Sequence, residues 1–500
     1  MPLKGDHFLE FSQLQSTTAI CPSLFNATSA QDGILSRIRI PSGLITSNQC
    51  EAIVQLVNQF GNDEIQITNR ANLQIRTSQA LSLDILQTLQ DYGLASSQAS
   101  TDGLRNIMAS PTAGIDVNSK INTIPLVKQW DFYLANHPEL EVLSNKFSVC
   151  FDGGETVSVC DRPNDICLVA VEINNEIYFS LHLGLGDRGD SPSAVNVLIS
   201  SDQVLEVLAA LAEVYREYVC REYTELAQKT HLRSRPPRLR ELLHDWGVEK
   251  YLDLVEQQLG YALRRSPLAP LPLGERGTRA YKHLGIHAQK QSRLVYIGIV
   301  IPLGRLTSPQ LQGLGHLAKH HGGGSLRLTS WQNILITDIA ETKIAQVTQE
   351  IFNLGLQISV NHPYAAIAAC SGSKGCKSAL TDTQTDAKAI ALHLENCIKL
   401  DHPINIHFSG CEKSCAQHHS SDIALVSKNS QAYQVYIGAG DISFGRELYP
   451  EYSTQDLPAL IERLLNIYQN QRQNSEQNFS EFINRYNLQE LQKLLVLDHA

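Results

Sequence analysis

Apolar positions along this chain follow two rhythms. In RIRIPSG (37–43) and ANLQIRT (71–77) they alternate every second residue, the period of a strand with one buried face. Between them, TSNQCEAIVQLVNQF (46–60) places them every three to four residues behind a Thr-Ser start, which predicts a capped amphipathic helix. The same order of elements returns later. Residues 37–75 align on 298–336 without a gap at a constant offset of 261, so that Pro41 meets Pro302, Gly43 meets Gly304, Thr68 meets Thr329 and Asn72 meets Asn333. The repeat continues more loosely, 93–114 on 355–376 and 146–155 on 404–415. Two runs with helical spacing, split by SRPPR, connect the copies over about 202–265, and a last helical stretch covers about 454–496. The pattern predicts an α+β protein of two pseudo-twofold-related halves around a central ligand cleft.

Composition narrows the class. Hydrophobic residues at 43% and charged residues at 18% exclude a disordered chain or a coiled coil. A net charge of −10 argues against a sequence-independent nucleic-acid binder. No apolar run approaches the roughly 18 residues that span a bilayer, and MPLKGDHFLEFSQLQ has no targeting character. The expectation is a cytoplasmic protein with neither nucleic acid nor membrane as partner.

Eleven cysteines in a chain without a secretion signal do not suggest a disulfide framework. Seven are scattered (Cys21, Cys50, Cys150, Cys160, Cys167, Cys220 and Cys397) and read as structural thiols. The other four form two tight pairs, Cys370-x5-Cys376 and Cys411-x3-Cys415, separated by 34 residues and crowded by Ser371, Gly372, Gly375 and Gly410. Four thiolates in such pairs suit an iron–sulfur cluster, with zinc or no metal as alternatives; zinc knuckles are usually tighter, at about C-x2–4-C. His418 and His419 read as solvent-facing or hydrogen-bonding rather than as ligands, and Gly322–Gly324 as a turn rather than a phosphate loop.

Where the second half has cysteines, the first has cations. Arg37 and Arg39 share a strand face, Arg70 is followed by Gln74 and Arg76 in alternation, and Arg105 and Lys146 lie beside later landmarks of the repeat. The second copy holds Gly298, Val300 and Trp331 at the positions of Arg37, Arg39 and Arg70. Cations collected in one half of an acidic protein point to an anionic ligand.

R-x-R-x-P-x-G near the start, TNR-x3-Q within TNRANLQIR, the connector HLRSRPPRLRELLHDWGVEKYLDLVE and the C-x5-C…C-x3-C pattern together resemble the siroheme nitrite/sulfite reductase superfamily over about 30–470. The resemblance implies a first ferredoxin-like half-domain at 30–100, a reductase-like α/β domain at 101–200, a helical connector at 201–280, a second ferredoxin-like half-domain at 281–360, and a cluster-binding reductase-like domain at 361–500. It implies a [4Fe–4S] cluster on Cys370, Cys376, Cys411 and Cys415, with Cys415 bridging to siroheme iron. Arg37, Arg105 and Lys146 fall on catalytic, substrate-binding positions, and Arg39, Arg70, Gln74 and Arg76 would bind the tetrapyrrole. The fourth reductase cation is Ser148 here, and the arginine before Lys146 is Asn145.

The wording of TNRANLQIR, KFSVCFDGGE, LRLTSWQNILI and HFSGCEKSCAQH is similar to the precorrin-3B synthase branch. That resemblance implies O2-dependent hydroxylation and γ-lactone formation on precorrin-3A in aerobic cobalamin biosynthesis. The partners would be an anionic tetrapyrrole substrate, O2, and NADH or reduced ferredoxin as electron donor, with a second iron centre that is non-haem iron or siroheme. Ferredoxin-dependent nitrite or sulfite reduction is the competing activity, and a non-catalytic tetrapyrrole- or cluster-binding protein the third reading.

Overall fold

The computed structural model describes residues 22–186, 190–227, 235–266, 281–417, 420–438 and 444–497; Cys21, His418 and His419 lie outside them. Two five-stranded sheets form from the repeated units, and each borrows its last strand from the other copy. One runs Thr28–Ala30, Gly33–Ile38, Leu73–Thr77, Gly61–Ile67, Arg305–Thr307; the other runs Gly285–Ala288, Leu294–Ile299, Ile334–Ala340, Ser325–Leu328, Leu44–Thr46. Leu306 faces Ile65 across one junction and Ile45 faces Leu326 across the other.

The helices Ser47–Phe60 and Ser308–His321 begin with the same capping box, Thr46 with Gln49 and Thr307 with Gln310. They meet where Gly315 lies against Cys50. Residues of both copies, among them Ile53, Ile75, Leu314 and Ile336, therefore share one hydrophobic core. The two P-x-G landmarks mark the crossovers: Gly43 and Gly304 have φ of 72° and 68°. A Cβ on Gly43 would stand 2.4 Å from the Leu328 carbonyl oxygen of the other copy, so no larger residue fits.

The remaining two sheets also match in wiring. Ile107–Ala109, Val149–Asp152 and Ile166–Ile173 run parallel, followed by antiparallel Glu176–Leu183 and Ser193–Ser200. Ile367–Ala369, Ile406–Ser409 and Ile423–Asn429 repeat the parallel trio, followed by antiparallel Ala432–Ile437 and Arg446–Ser453. The connector is built into the first of these units. Its helices Val204–Ala227, Leu239–Trp246 and Val248–Leu259 lie in that unit's core, and Tyr215 and Tyr251 donate to the Pro237 and Leu211 carbonyls. Helices Leu457–Gln471, Phe479–Ile483 and Leu488–Leu497 close the second unit. The fold is α+β with twofold-related halves. Among the described residues, no helix is long and apolar enough to cross a membrane.

Candidate functional site

Adjacent parallel strands bring the two cysteine pairs together. Ala369 stands opposite Phe408, so Cys370 and the Gly410-Cys411 turn leave the same edge of the sheet side by side. The Gly410 amide donates to Cys370 Sγ at 3.2 Å, and the Thr383 hydroxyl lies 3.5 Å from the same sulfur. Thr383 Oγ1 and Gln384 Nε2, at the start of the helix Thr383–Cys397, each reach the Cys370 carbonyl at 2.8 Å. The small residues are sterically required: a Cβ on Gly410 would stand 2.5 Å from Ala379 Cβ, and one on Gly372 (φ 64°) 2.7 Å from the Thr383 amide nitrogen. Four cysteines on backbone-rich loops, with an amide already directed at sulfur, fit an iron–sulfur cluster. Cys397 lies exposed at the far end of that helix.

Cys415 also faces a cavity of about 700 Å³ between the halves, shared with Arg37, Arg70, Lys146, Arg162, Arg238 and Trp331. The Asn69 amide donates to the carbonyls of Cys415 and Ala416 at 3.5 and 3.4 Å, tying the first half to the cysteine that reaches the cavity. Arg70 is held by the Pro163 carbonyl at 3.0–3.1 Å and by Asn164 Oδ1 at 3.2 Å. Burial pushes its pKa down to about 10 against the opposing pull of Asp165, so it stays charged at neutral pH. Trp331, at the repeat position of Arg70, has two neighbours at its ring: the Arg162 guanidinium lies 4.7 Å and the tilted His283 ring 5.0 Å from its centroid. Burial drives His283 down to about 3, so it is neutral there.

Three of the expected tetrapyrrole-binding residues lie behind the cavity wall rather than on it. With its amide oxygen turned toward Arg37, Gln74 accepts from Arg37 Nε at 3.2 Å and Nη2 at 2.6 Å, and its nitrogen donates to Gln66. Arg76 donates to Gln66 at 3.3 Å and pairs with Asp32 at 2.6 Å. Arg39 donates to Asn106 Oδ1 at 3.1 Å, and Asn106 in turn donates to the carbonyls of Gly103, Asn145 and Phe147, so Arg39 braces the segment that carries Lys146. Gln74 thus orients Arg37 on the cavity wall, and Arg39 and Arg76 are engaged by protein groups behind it.

Arg105 differs from the expectation that it binds substrate. It is buried and forks onto Asp131 at 2.7 and 2.9 Å, with Asp102 at 3.9 Å. Burial works against its charge, but Asp131 more than offsets this and its pKa is raised. Its Nε and Nη2 are engaged within the fold, by Asp131 and the Gly93 carbonyl, while Nη1 is buried with no hydrogen-bond partner.

Arg238, Asp165 and Asn106 were not singled out in the sequence. Ser148 donates to Asp165 at 3.1 Å; Asp165 also accepts from Arg238 at 3.1 and 3.3 Å, and Arg238 reaches the Lys146 carbonyl at 3.4 Å. An arginine of the connector thus stands beside position 148, paired there with a carboxylate. Arg235 and Arg240 line the same cavity, so SRPPRLR supplies three arginines to it. The signal was present in that run, but it reads first as a helix breaker.

Comparison with known proteins shows the family. The profile described as "Nitrite and sulphite reductase 4Fe-4S domain" matches residues 100–263 and 364–499, and "Nitrite/Sulfite reductase ferredoxin-like half domain" matches 28–89 and 287–352. Ferredoxin–nitrite reductase of Leptolyngbya laminosa is 30% identical over 82% of this chain and 81% of its own length. That of Synechococcus elongatus is also 30% identical, over 86% and 85%. "Sulfite reductase [ferredoxin] 2" of Mycolicibacterium paratuberculosis is 28% identical over 86% and 78%. The solved structure of the Mycobacterium tuberculosis NirA protein superimposes with a TM-score of 0.76 at 23% identity, covering 92% of this chain and 84% of that one, a likeness of fold.

These findings correct the expectation of an O2-dependent precorrin-3A hydroxylase. The relatives that align along most of the chain are named nitrite and sulfite reductases.

Proposed function

The chain belongs to the nitrite and sulphite reductase family of iron–sulfur oxidoreductases, and on that premise we propose that it reduces nitrite, with reduced ferredoxin as the electron donor. The observation that carries this reading is the meeting of Cys415 with Arg37, Arg70 and Lys146 around one cavity. Cys370, Cys376, Cys411 and Cys415 would hold a [4Fe–4S] cluster, and the cavity lined by Cys415 and the cations would take siroheme. Together these groups would supply single electrons and an iron centre for the reduction.

The chain's own residues supply charge and protons. Taking nitrite to ammonium consumes six electrons and eight protons and releases two waters, so the site must hold a small anion and feed it protons. Arg37, oriented by Gln74, offers a fixed fork for the two nitrite oxygens. Lys146 is exposed to the cavity with an ammonium proton to give toward an oxygen that leaves as water. Asp165 offsets the charge of Arg238 on the same wall, which favours a singly charged anion over a doubly charged one. Assay of cluster- and siroheme-loaded protein with reduced ferredoxin against nitrite and sulfite tests the proposal. Higher kcat/KM for nitrite supports it, and turnover of sulfite alone overturns the choice of substrate.

A further inference from the structure

On the far side of the cluster domain, the helices Thr383–Cys397 and Leu457–Gln471 pack through Ile390, Leu394, Leu460, Ile461 and Leu464. Beside that seam, His393 and Cys397 stand four residues apart, so they share a helix face. Glu462 projects from the second helix, with its carboxylate 2.7 Å from His393 Nε2. One nitrogen, one sulfur and one oxygen donor atom of this trio all lie within 4.8 Å of one another. We propose that His393, Cys397 and Glu462 form a binding site for a divalent ion of the zinc class, separate from the cluster.

The donor set selects the metal. A thiolate with an imidazole favours zinc, cobalt or nickel over magnesium or calcium, which take all-oxygen shells. Zinc bonds of about 2.0–2.3 Å put tetrahedral ligand atoms roughly 3.3–3.8 Å apart. Seating the ion therefore asks the His393–Glu462 pair to open by less than about 1 Å. Two ligands come fixed at one helical turn, the i, i+4 spacing that helical zinc sites use. The third comes from a helix already docked by its leucines, so little ordering entropy remains to be lost. His393 and Glu462 are about a third exposed and Cys397 is exposed, which leaves the fourth position to water.

The site has a structural consequence. The helix that carries His393 and Cys397 begins at Thr383 and Gln384, the two residues that grip the Cys370 carbonyl. An ion at its other end would staple this helix to the C-terminal helices and stiffen the frame behind the cluster loop.

The test uses cluster-loaded holoprotein, so that the four cluster cysteines are not available to added metal. Zinc chloride is titrated against a chromophoric chelator, and bound zinc and iron are measured in parallel. The expected result is one tightly bound zinc per chain, weakened at least about a hundredfold in Cys397→Ser and in His393→Gln, with iron content unchanged in both. Cobalt loading adds a second readout: a thiolate-to-cobalt charge-transfer band present in the parent and absent from Cys397→Ser. Equal zinc uptake by parent and Cys397→Ser, or a cobalt spectrum without thiolate character, overturns the site.

Discussion

Arg76 donates through Nη2 to the Ser371 hydroxyl at 3.2 Å, joining a buried strand of the first half to the residue after Cys370 in the second. The same guanidinium is anchored by Asp32 at 2.6 Å, so the loop of the first cysteine pair leans on the other half's sheet. Arg76, expected from the sequence at a tetrapyrrole, here supports the cluster loop. Arg76→Met should leave the cavity in place but loosen that loop. Losing a charge-assisted bond of about 1.5 kcal/mol makes loop opening roughly tenfold more frequent. Iron release to a chelator, followed at constant temperature, should accelerate by about that factor; an unchanged rate would show that Ser371 does not depend on Arg76.

Arg37 and Arg105 should separate by assay. Arg37→Ala should lower kcat/KM for nitrite by about ten- to a hundredfold and leave in place Gln74, a neutral amide that strands no charge. Arg105→Ala should instead lower stability by about 3 kcal/mol, since it strands the Asp131 and Asp102 carboxylates. Denaturant titration beside steady-state kinetics distinguishes the two. The opposite assignment of effects would return Arg105 to the substrate site.

Much of this was legible in the sequence for a definite reason. A gapless repeat with matching Pro, Gly, Thr and Asn keeps backbone geometry: Asn72 and Asn333 both accept a hydrogen bond from the residue before the P-x-G turn, Ile40 and Ile301. The cysteine pairs were readable because short spacings fix sulfur on single loops. The direction of each cation was not. Arg37, Arg39 and Arg76 belong to the same strand-periodic pattern, yet only Arg37 reaches the cavity. The others are turned inward by Asn106 and Asp32, residues distant in sequence. Strand interchange between the two ferredoxin-like units was equally hidden, because a three-residue strand carries no address for its partner.

Asp165 sets the charge of the Lys146 wall. Asp165→Asn keeps a hydrogen-bond partner for Ser148 and removes the carboxylate that offsets Arg238. The account expects the ratio of kcat/KM for sulfite to that for nitrite to rise about fivefold, the effect of roughly 1 kcal/mol from one extra charge in a hydrated cavity. A ratio that is unchanged or falls would show that Arg238 does not act on the bound anion.

A buried acidic cluster gives a pH signature. Burial and the neighbouring Asp152 push Glu155 from its ordinary 4.5 up to about 8, with Asp116 adding to the rise. Below pH 4.5 both folded and unfolded chains hold the proton; between 4.5 and 8 only the unfolded chain releases it, so stability falls as pH rises through that window. Glu155→Gln can still accept from the Gly153 amide and still meets Ser119. It should match the parent at pH 4.5 and exceed its stability by roughly 1–3 kcal/mol at pH 8. Urea unfolding at both pH values checks the sign, and parallel profiles for the two proteins would place the Glu155 proton elsewhere.

The central claim is that Cys415 and the cationic wall serve one anion-reducing site. The most direct measurement is ammonium formed from nitrite by the cluster- and siroheme-loaded protein with reduced ferredoxin, alongside Lys146→Ala. The account predicts sustained turnover at six ferredoxins oxidised per ammonium, with kcat at least about a hundredfold lower in the variant while iron content stays constant. Holoprotein that leaves nitrite untouched, or a Lys146→Ala variant that turns over like the parent, would contradict it.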